Sequence, residues 1–170
     1  MDKLEISLNN KLYRFIWSVV YNLAFRYSPI PLFRWRILIL RLFGANVSWS
    51  ARVYPKVKIW SPRNLIVKSG VGIASEVVLY NVSIIEIAEN TVISQYSHLC
   101  TASKTYWSEQ RELISKPITI GSKVWIAADV FIGPGVVIGS NTTILARCTI
   151  LENIMDNQII KYGKSIKLPK

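Results

Sequence analysis

The sequence predicts an all-β solenoid, a triangular prism of short stacked strands, and three observations carry that prediction. Ile120, Ile126, Ile132, Ile138, Ile144 and Ile150 recur at a strict six-residue step. Six residues advance an α-helix by about 600°, so these isoleucines would rotate over several faces instead of lining one stripe. Gly133, Pro134, Gly135 and Gly139 interrupt any single long strand through the same stretch. A chain that turns a corner every six residues satisfies all three observations. Three hexads then close a coil of about eighteen residues, and coils stack at the ordinary strand spacing of about 4.8 Å.

The first element expected is of another kind. Residues 1–45 mix Leu12, Phe15, Ile16, Val19, Val20 and Leu23, and then Trp35, Ile37, Leu38, Leu40, Leu42 and Phe43, with Lys11, Arg14, Arg26, Arg34, Arg36 and Arg41. Pro29 and Pro31 divide this segment into two amphipathic helices. No small-residue cleavage motif follows an apolar core, so it does not read as a signal peptide, and the chain lacks the apolar run of roughly 20 residues that a spanning helix needs. Two readings stay open: a helical cap packed on the first coil, or a basic and aromatic face resting on an anionic membrane such as the inner membrane.

The solenoid is expected over 46–160. Val53, Ile59 and Leu65 keep the six-residue step; Val67, Ile73, Leu79 and Ile85 resume it two residues out of phase, and Ile87, Ile93 and Leu99 follow a second shift of two. Such slips fit small insertions at a corner. A second small or branched residue follows four positions after many of these aliphatics, as at Val71, Thr91, Ser97, Val124, Val136 and Cys148, and suits the tight corner of a triangular section. Between Leu99 and Ile120 the spacing exceeds one coil, and Lys104, Tyr106, Trp107, Glu109, Arg111 and Glu112 fall there, which predicts an excursion loop at 101–117. A basic tail, 161–170, closes the chain.

The formal net charge is +11; residues 1–43 contribute +5 and the tail +4, so the excess sits at the ends. That balance admits membrane surfaces and phosphorylated ligands, but no familiar nucleic-acid motif is present. Cys100 and Cys148 have neither a disulfide framework nor metal-ligand spacing, and with one histidine no metal site is expected; a reducing cytoplasm is the default location.

Trp125–Gly139, with its WIA-x3-FIGPGV-x-IG pattern, resembles the hexapeptide-repeat acyltransferases, which are left-handed parallel β-helices. Trp35-Arg36, Leu40–Ala45, Ile93-Ser94-Gln95 and Lys116–Gly121 resemble the subgroup of colanic acid biosynthesis acetyltransferases. The resemblance implies a cytoplasmic homotrimer that transfers acetyl from acetyl-CoA to a hydroxyl of a sugar or lipid-linked saccharide in surface-polysaccharide assembly. Its active sites would lie between neighbouring β-helices. That chemistry needs a base near the acceptor hydroxyl and donors for the oxyanion.

The family's catalytic histidine opens the excursion loop, where this chain carries Lys104. A lysine near its usual pKa of about 10.4 is charged at neutral pH and accepts no proton unless strongly desolvated. His98, six residues earlier, falls in the same phase of the repeat. Three readings follow: His98 or a desolvated Lys104 is the base; catalysis survives on positioning alone; or the chain is a degenerate β-helix that binds CoA or serves as an interaction subunit. Asn81 matches a family asparagine that orients the acceptor, with a corner role as the alternative. Ala128 and Ala146 match positions where the backbone meets the pantetheine arm. Arg147 replaces a glycine and would crowd that channel. Lys167 and Lys170 match an ending that meets the adenosine phosphates.

Overall fold

A computed structural model of the chain describes residues 8–104, 113–161 and 164–167, and it is a parallel β-helix capped at one end by helices. α1 (Leu8–Val20) continues into a π-helical turn, Tyr21–Phe25, and α2 (Phe33–Leu42) follows the Pro29–Pro31 break. The first coil is β1 (Asn46–Val47), β2 (Arg52–Val53) and β3 (Lys58–Ile59). The second is β4 (Leu65–Val67), β5 (Gly72–Ile73) and β6 (Val78–Tyr80), and the third β7 (Ile85–Ile87), β8 (Val92–Ile93) and β9 (His98–Cys100). A hairpin, β10 (Ala102–Lys104) with β11 (Leu113–Ser115), leaves the prism before β12 (Ile118–Ile120), β13 (Trp125–Ile126) and β14 (Phe131–Ile132) form the fourth coil. β15 (Val137–Ile138), β16 (Thr143–Ile144) and β17 (Thr149–Ile150) form the fifth; β18 (Gln158–Lys161) starts a sixth and pairs antiparallel with β19 (Lys164–Lys167).

Each coil contributes one strand to each of three parallel walls. Wall A runs β1-β4-β7-β12-β15, wall B runs β2-β5-β8-β13-β16-β18, and wall C runs β3-β6-β9-β14-β17. Coils are hydrogen-bonded to one another through the backbone, for example Arg52 N–H to Val71 C=O at 2.8 Å and Thr119 N–H to Val136 C=O at 3.1 Å. Inside, the periodic aliphatics stack in columns. Val47, Val67, Ile87, Ile120 and Ile138 line wall A, and Val53, Ile73, Ile93, Ile126 and Ile144 line wall B, all buried. At about 1.5–3 kcal/mol per buried aliphatic side chain, these columns are the main source of stability.

The phase slips have a structural cause. β4, β7 and β12 are three residues long, and both outer members of each, such as Leu65 and Val67, point inward. The extra residues lie at the corner between walls C and A, where Pro62–Asn64 forms one 3-10 turn. The small residues expected at corners, among them Val71, Thr91, Ser97 and Val124, are all buried there. The excursion is present as the β10–β11 hairpin, while Tyr106, Trp107, Glu109, Arg111 and Glu112 lie outside the described residues. The tail contributes β19, which turns back antiparallel on β18 and so leaves the six-residue step.

The helices close the open end of the prism. Arg52, Tyr54, Lys58 and Trp60 of coil one bond forward to coil two, and the residues that alternate with them, Val47, Val53 and Ile59, turn their carbonyls away from the stack, where they need donors. One side chain serves each wall: Arg41 Nη1 donates to Val47 C=O at 2.7 Å, Arg36 Nε to Val53 C=O at 2.6 Å, and Trp17 Nε1 to Ile59 C=O at 2.8 Å. Arg36 is fully buried and also donates to Ser28 Oγ and to the Pro29 and Ile30 carbonyls, which fixes the loop between the helices.

Candidate active site

Alternation along wall C sets what its outer face carries. In β6 and β9 the middle residue, Leu79 or Leu99, points inward, so Val78 and Tyr80 and then His98 and Cys100 point outward. Parallel register places Lys58, Val78, His98, Phe131 and Thr149 in one outer column. Trp60 and Tyr80 meet edge to face at 4.8 Å, and the Arg14 guanidinium lies 3.3 Å over the Trp60 ring.

Between α1 and this wall lies a cavity of about 230 Å³ lined by Arg14, Tyr21, Lys58, Trp60, Val78 and Tyr80, with a second of about 200 Å³ beyond Tyr80 that reaches Arg63 and Leu113. The Tyr21 hydroxyl is shielded from solvent without a hydrogen-bond partner, and burial raises its pKa. Among the described residues neither Arg14 nor Arg63 has an acidic partner; Lys58 pairs with Glu76 at 3.6 Å. Aromatic faces and guanidinium groups bounding one cleft suit a polar ring-shaped ligand that carries hydroxyls or negative charge.

His98 is half-buried on this wall, directly above Val78. Its backbone N–H donates to Val130 C=O at 2.8 Å, and its ring meets Phe131 edge to face at 5.5 Å. Nε2 is buried without a hydrogen-bond partner, and burial pushes the imidazole below its ordinary pKa of 6.5. The ring is therefore neutral at pH 7. A neutral imidazole nitrogen that no protein group engages can accept a hydrogen bond from a hydroxyl.

Asn81 follows β6 at the corner between walls C and A and is fully buried. Its Oδ1 accepts from Ser61 N–H at 3.1 Å and its Nδ2 donates to Ser61 C=O at 2.6 Å, so the side chain bridges two coils at the corner insertion. Lys104 ends β10 and is exposed.

Three of the residues expected to meet the coenzyme, Ala128, Ala146 and Arg147, gather at the corner between walls B and C, whereas Lys167 lies across wall B from it. Ala128 is half-buried and Ala146 exposed, one coil apart, and Arg147 N–H donates to Ala128 C=O at 3.0 Å. Arg147 has φ +63° and its exposed side chain reaches Asp129, itself at φ +61°, at 3.7 Å. Lys56, Glu76 and Tyr96 hold the same left-handed turn on earlier coils. Lys167 ends β19 in register with Gln158, whereas Lys170 lies outside the described residues.

The fold thus brings His98 to the wall whose leading corner carries Ala128, Ala146 and Arg147, and puts Asn81 and Lys104 at or beyond its trailing corner. Arg14, Trp60 and Tyr80 do not belong to the candidate residues read from the sequence. Trp60 and Tyr80 each follow an inward aliphatic by one residue, Ile59 and Leu79, and that spacing marks them as outward neighbours on one wall.

Comparison with known proteins agrees with this architecture. Residues 117–152 match the family described as bacterial transferase hexapeptide (six repeats). Over 112 residues, 66% of this chain, the sequence is 38% identical to the "Putative colanic acid biosynthesis acetyltransferase WcaF" of Escherichia coli K12, and the match spans 62% of that relative's length. Among solved structures, a maltose O-acetyltransferase from Clostridium difficile 630 superposes with a TM-score of 0.81 at 24% identity, covering 94% of this chain and 89% of that one. A hexapeptide-repeat acetyltransferase from Vibrio cholerae O1 biovar eltor, complexed with acetyl coenzyme A, gives 0.77 at 20% identity, covering 94% and 92%. A galactoside acetyltransferase in complex with coenzyme A gives 0.72 at 22% identity, covering 91% and 78%. At these identities the superpositions establish the β-helix alone.

Proposed function

We propose that this hexapeptide-repeat β-helix is an acetyl-CoA-dependent O-acetyltransferase acting on a sugar hydroxyl in surface-polysaccharide assembly. The observation that carries the reading is the 38% identity over 112 residues to a protein named for colanic acid acetylation. The chemistry is supported by His98, a neutral imidazole with an unpartnered Nε2 one coil from an aromatic and cationic cleft.

In this reading the acceptor ring lies against Trp60 and Tyr80, with Arg14 beside it. His98 Nε2 takes the proton of the acceptor hydroxyl as its oxygen attacks the thioester carbonyl. Collapse of the tetrahedral intermediate breaks the C–S bond, and the imidazolium returns its proton to the departing thiolate. The pantetheine arm follows the Ala128–Ala146 corner beside Arg147, and Lys167 and Lys170 meet the adenosine phosphates. Asn81 braces the corner beneath the cleft. Two further chains complete the site as a homotrimer; Val92, Trp125 and Val137 leave apolar area exposed on walls A and B that such packing would cover.

A second reading, a degenerate β-helix that binds CoA or joins an assembly without turnover, is favoured by one observation: Lys104 is exposed where the resemblance expects the base. Acetyl-CoA turnover with purified protein and a panel of nucleotide-sugars and glycans separates the two. Activity in the wild type that falls about 100-fold or more in His98→Ala supports the first reading. An inert wild type that gains activity as Lys104→His supports the second. An inert wild type that remains so in Lys104→His and shows no stabilisation by CoA removes both.

A further inference from the structure

The helical cap is apolar on both sides: Trp17, Phe25, Ile37, Ile39 and Leu40 are buried in the core that it shares with the prism. Arg36, Arg41 Nη1 and Trp17 Nε1 bond to the first coil from this inner side, and a second apolar surface faces outward. On α1, Leu12, Phe15, Ile16 and Val19 are exposed, and Leu23 continues the stripe into the π-helical turn at 78% exposure. At about 100° per residue, Phe15 and Val19 lie about 160° round the helix from Trp17, so this stripe points away from the coil that Trp17 caps. α2 repeats the arrangement: Leu38 and Leu42 are exposed, Leu42 at 75%, on the side opposite buried Arg36 and Leu40. Both helices therefore present apolar stripes away from the end of the solenoid that they close.

Charge decides what covers that surface. Between Glu5 and Glu76 the sequence has no acidic residue, and Lys11 and Arg34 are exposed on the same helices as the apolar stripes, with Arg26 half-buried between them. Two such caps meeting face to face would set like charges against each other, whereas an anionic lipid surface accepts both the aliphatic stripe and its basic flanks. Among the described residues no helix is long and apolar enough to cross a membrane, so the geometry is that of a helix pair lying in the interface.

We infer that α1 and α2 form a membrane-docking face that seats the chain on anionic lipid, with the solenoid axis pointing away from the bilayer. Such seating carries the Arg14–Trp60–Tyr80 cleft, which α1 bounds, close to the lipid surface. The inference does not depend on acyl transfer and is tested without it.

Full-length protein is floated with phosphatidylcholine vesicles, with and without phosphatidylglycerol, and compared with Phe15→Ser/Leu23→Ser and Lys11→Glu/Arg34→Glu. All four side chains are exposed, and unchanged thermal melting shows that the variants fold. The expected result is wild-type flotation on the anionic vesicles, about tenfold or more weaker on neutral ones and in either variant. Flotation on neither, or equally on both, overturns the proposal. So does a wild type that ignores lipid and self-associates in sedimentation through a contact that Phe15→Ser/Leu23→Ser abolishes, which assigns the face to a second copy of the chain.

Discussion

The coils and the cap share one apolar core but are joined to it by different forces. In the coils every inward strand position is aliphatic and each coil is hydrogen-bonded to the next, so apolar burial supplies the stability and polar groups are satisfied from coil to coil. In the cap, Trp17, Arg36 and Arg41 also point at the prism, because the Val47, Val53 and Ile59 carbonyls of the first coil have no coil before them and need donors, while Leu12, Leu23, Leu38 and Leu42 point outward. Composition alone therefore does not tell core from surface in this molecule. The unmet hydrogen-bonding need of the terminal coil does.

Substitutions at the centre of the two regions probe this contrast most strongly. Ile126→Asp puts a carboxylate among stacked aliphatics with no partner and is expected to abolish the cooperative melting transition, while the milder Ile126→Ala is expected to cost about 2–5 kcal/mol. A folded Ile126→Asp protein in circular dichroism would show that the columns do not carry the fold. Arg36→Met removes the donor to Val53, Pro29 and Ile30 and is expected to cost roughly 3 kcal/mol, the loss from stranded carbonyls exceeding the regained desolvation of the guanidinium. Its signature is local: the Arg52, Tyr54 and Lys58 amides exchange sooner, while wall-B amides of the fifth coil stay protected. Uniform loss of protection would mean that cap and coils unfold as one unit.

Legibility follows the same division. The six-residue step identifies the solenoid, and even the slips at Leu65/Val67 and Ile85/Ile87 are visible, because each inward side chain leaves its own mark in the sequence. The hairpin at 101–117 is visible as an excess of residues. The cap's orientation is not, since it depends on three donor–acceptor pairs that join residues far apart in the chain; the one local clue is Arg36, which shares a helix face with Ile37 and Leu40. At the site, His98 is found by the period and its neighbours are not. Its unpartnered Nε2 and the cleft beside it arise from packing by α1 and Phe131, which no local spacing encodes. The bridging of Ser61 by Asn81 is likewise a contact between coils.

A smaller test concerns the corner between walls B and C. Arg147 occupies a left-handed turn that L side chains adopt at a cost of about 1 kcal/mol, and its ion pair with Asp129 is too exposed to offset this. Arg147→Gly is therefore expected to stabilise the protein by roughly 1 kcal/mol, which is read as a rise of a few degrees in Tm. If the pantetheine arm uses this corner, the same change tightens CoA binding in calorimetry. Tighter binding without stabilisation would separate the two roles.

The subtlest effect is the titration of His98. Burial holds its folded pKa below 6.5, its value in the unfolded chain, so between the two pKa values the unfolded state binds a proton that the folded state refuses. Stability attributable to this residue is thus fully present above pH 6.5 and falls as the pH drops towards the folded pKa, the opposite sense to a histidine stabilised by a carboxylate. His98→Phe removes the proton site while filling the space beside Phe131, and is expected to flatten that part of the stability–pH curve in urea melts. A CoA- or acceptor-bound protein in which the titration moves further would show that the ligand engages Nε2 as a proton acceptor. An unchanged curve in His98→Phe would mean that the unpartnered Nε2 is hydrated in solution, and with that the physical case for His98 as the base would be lost.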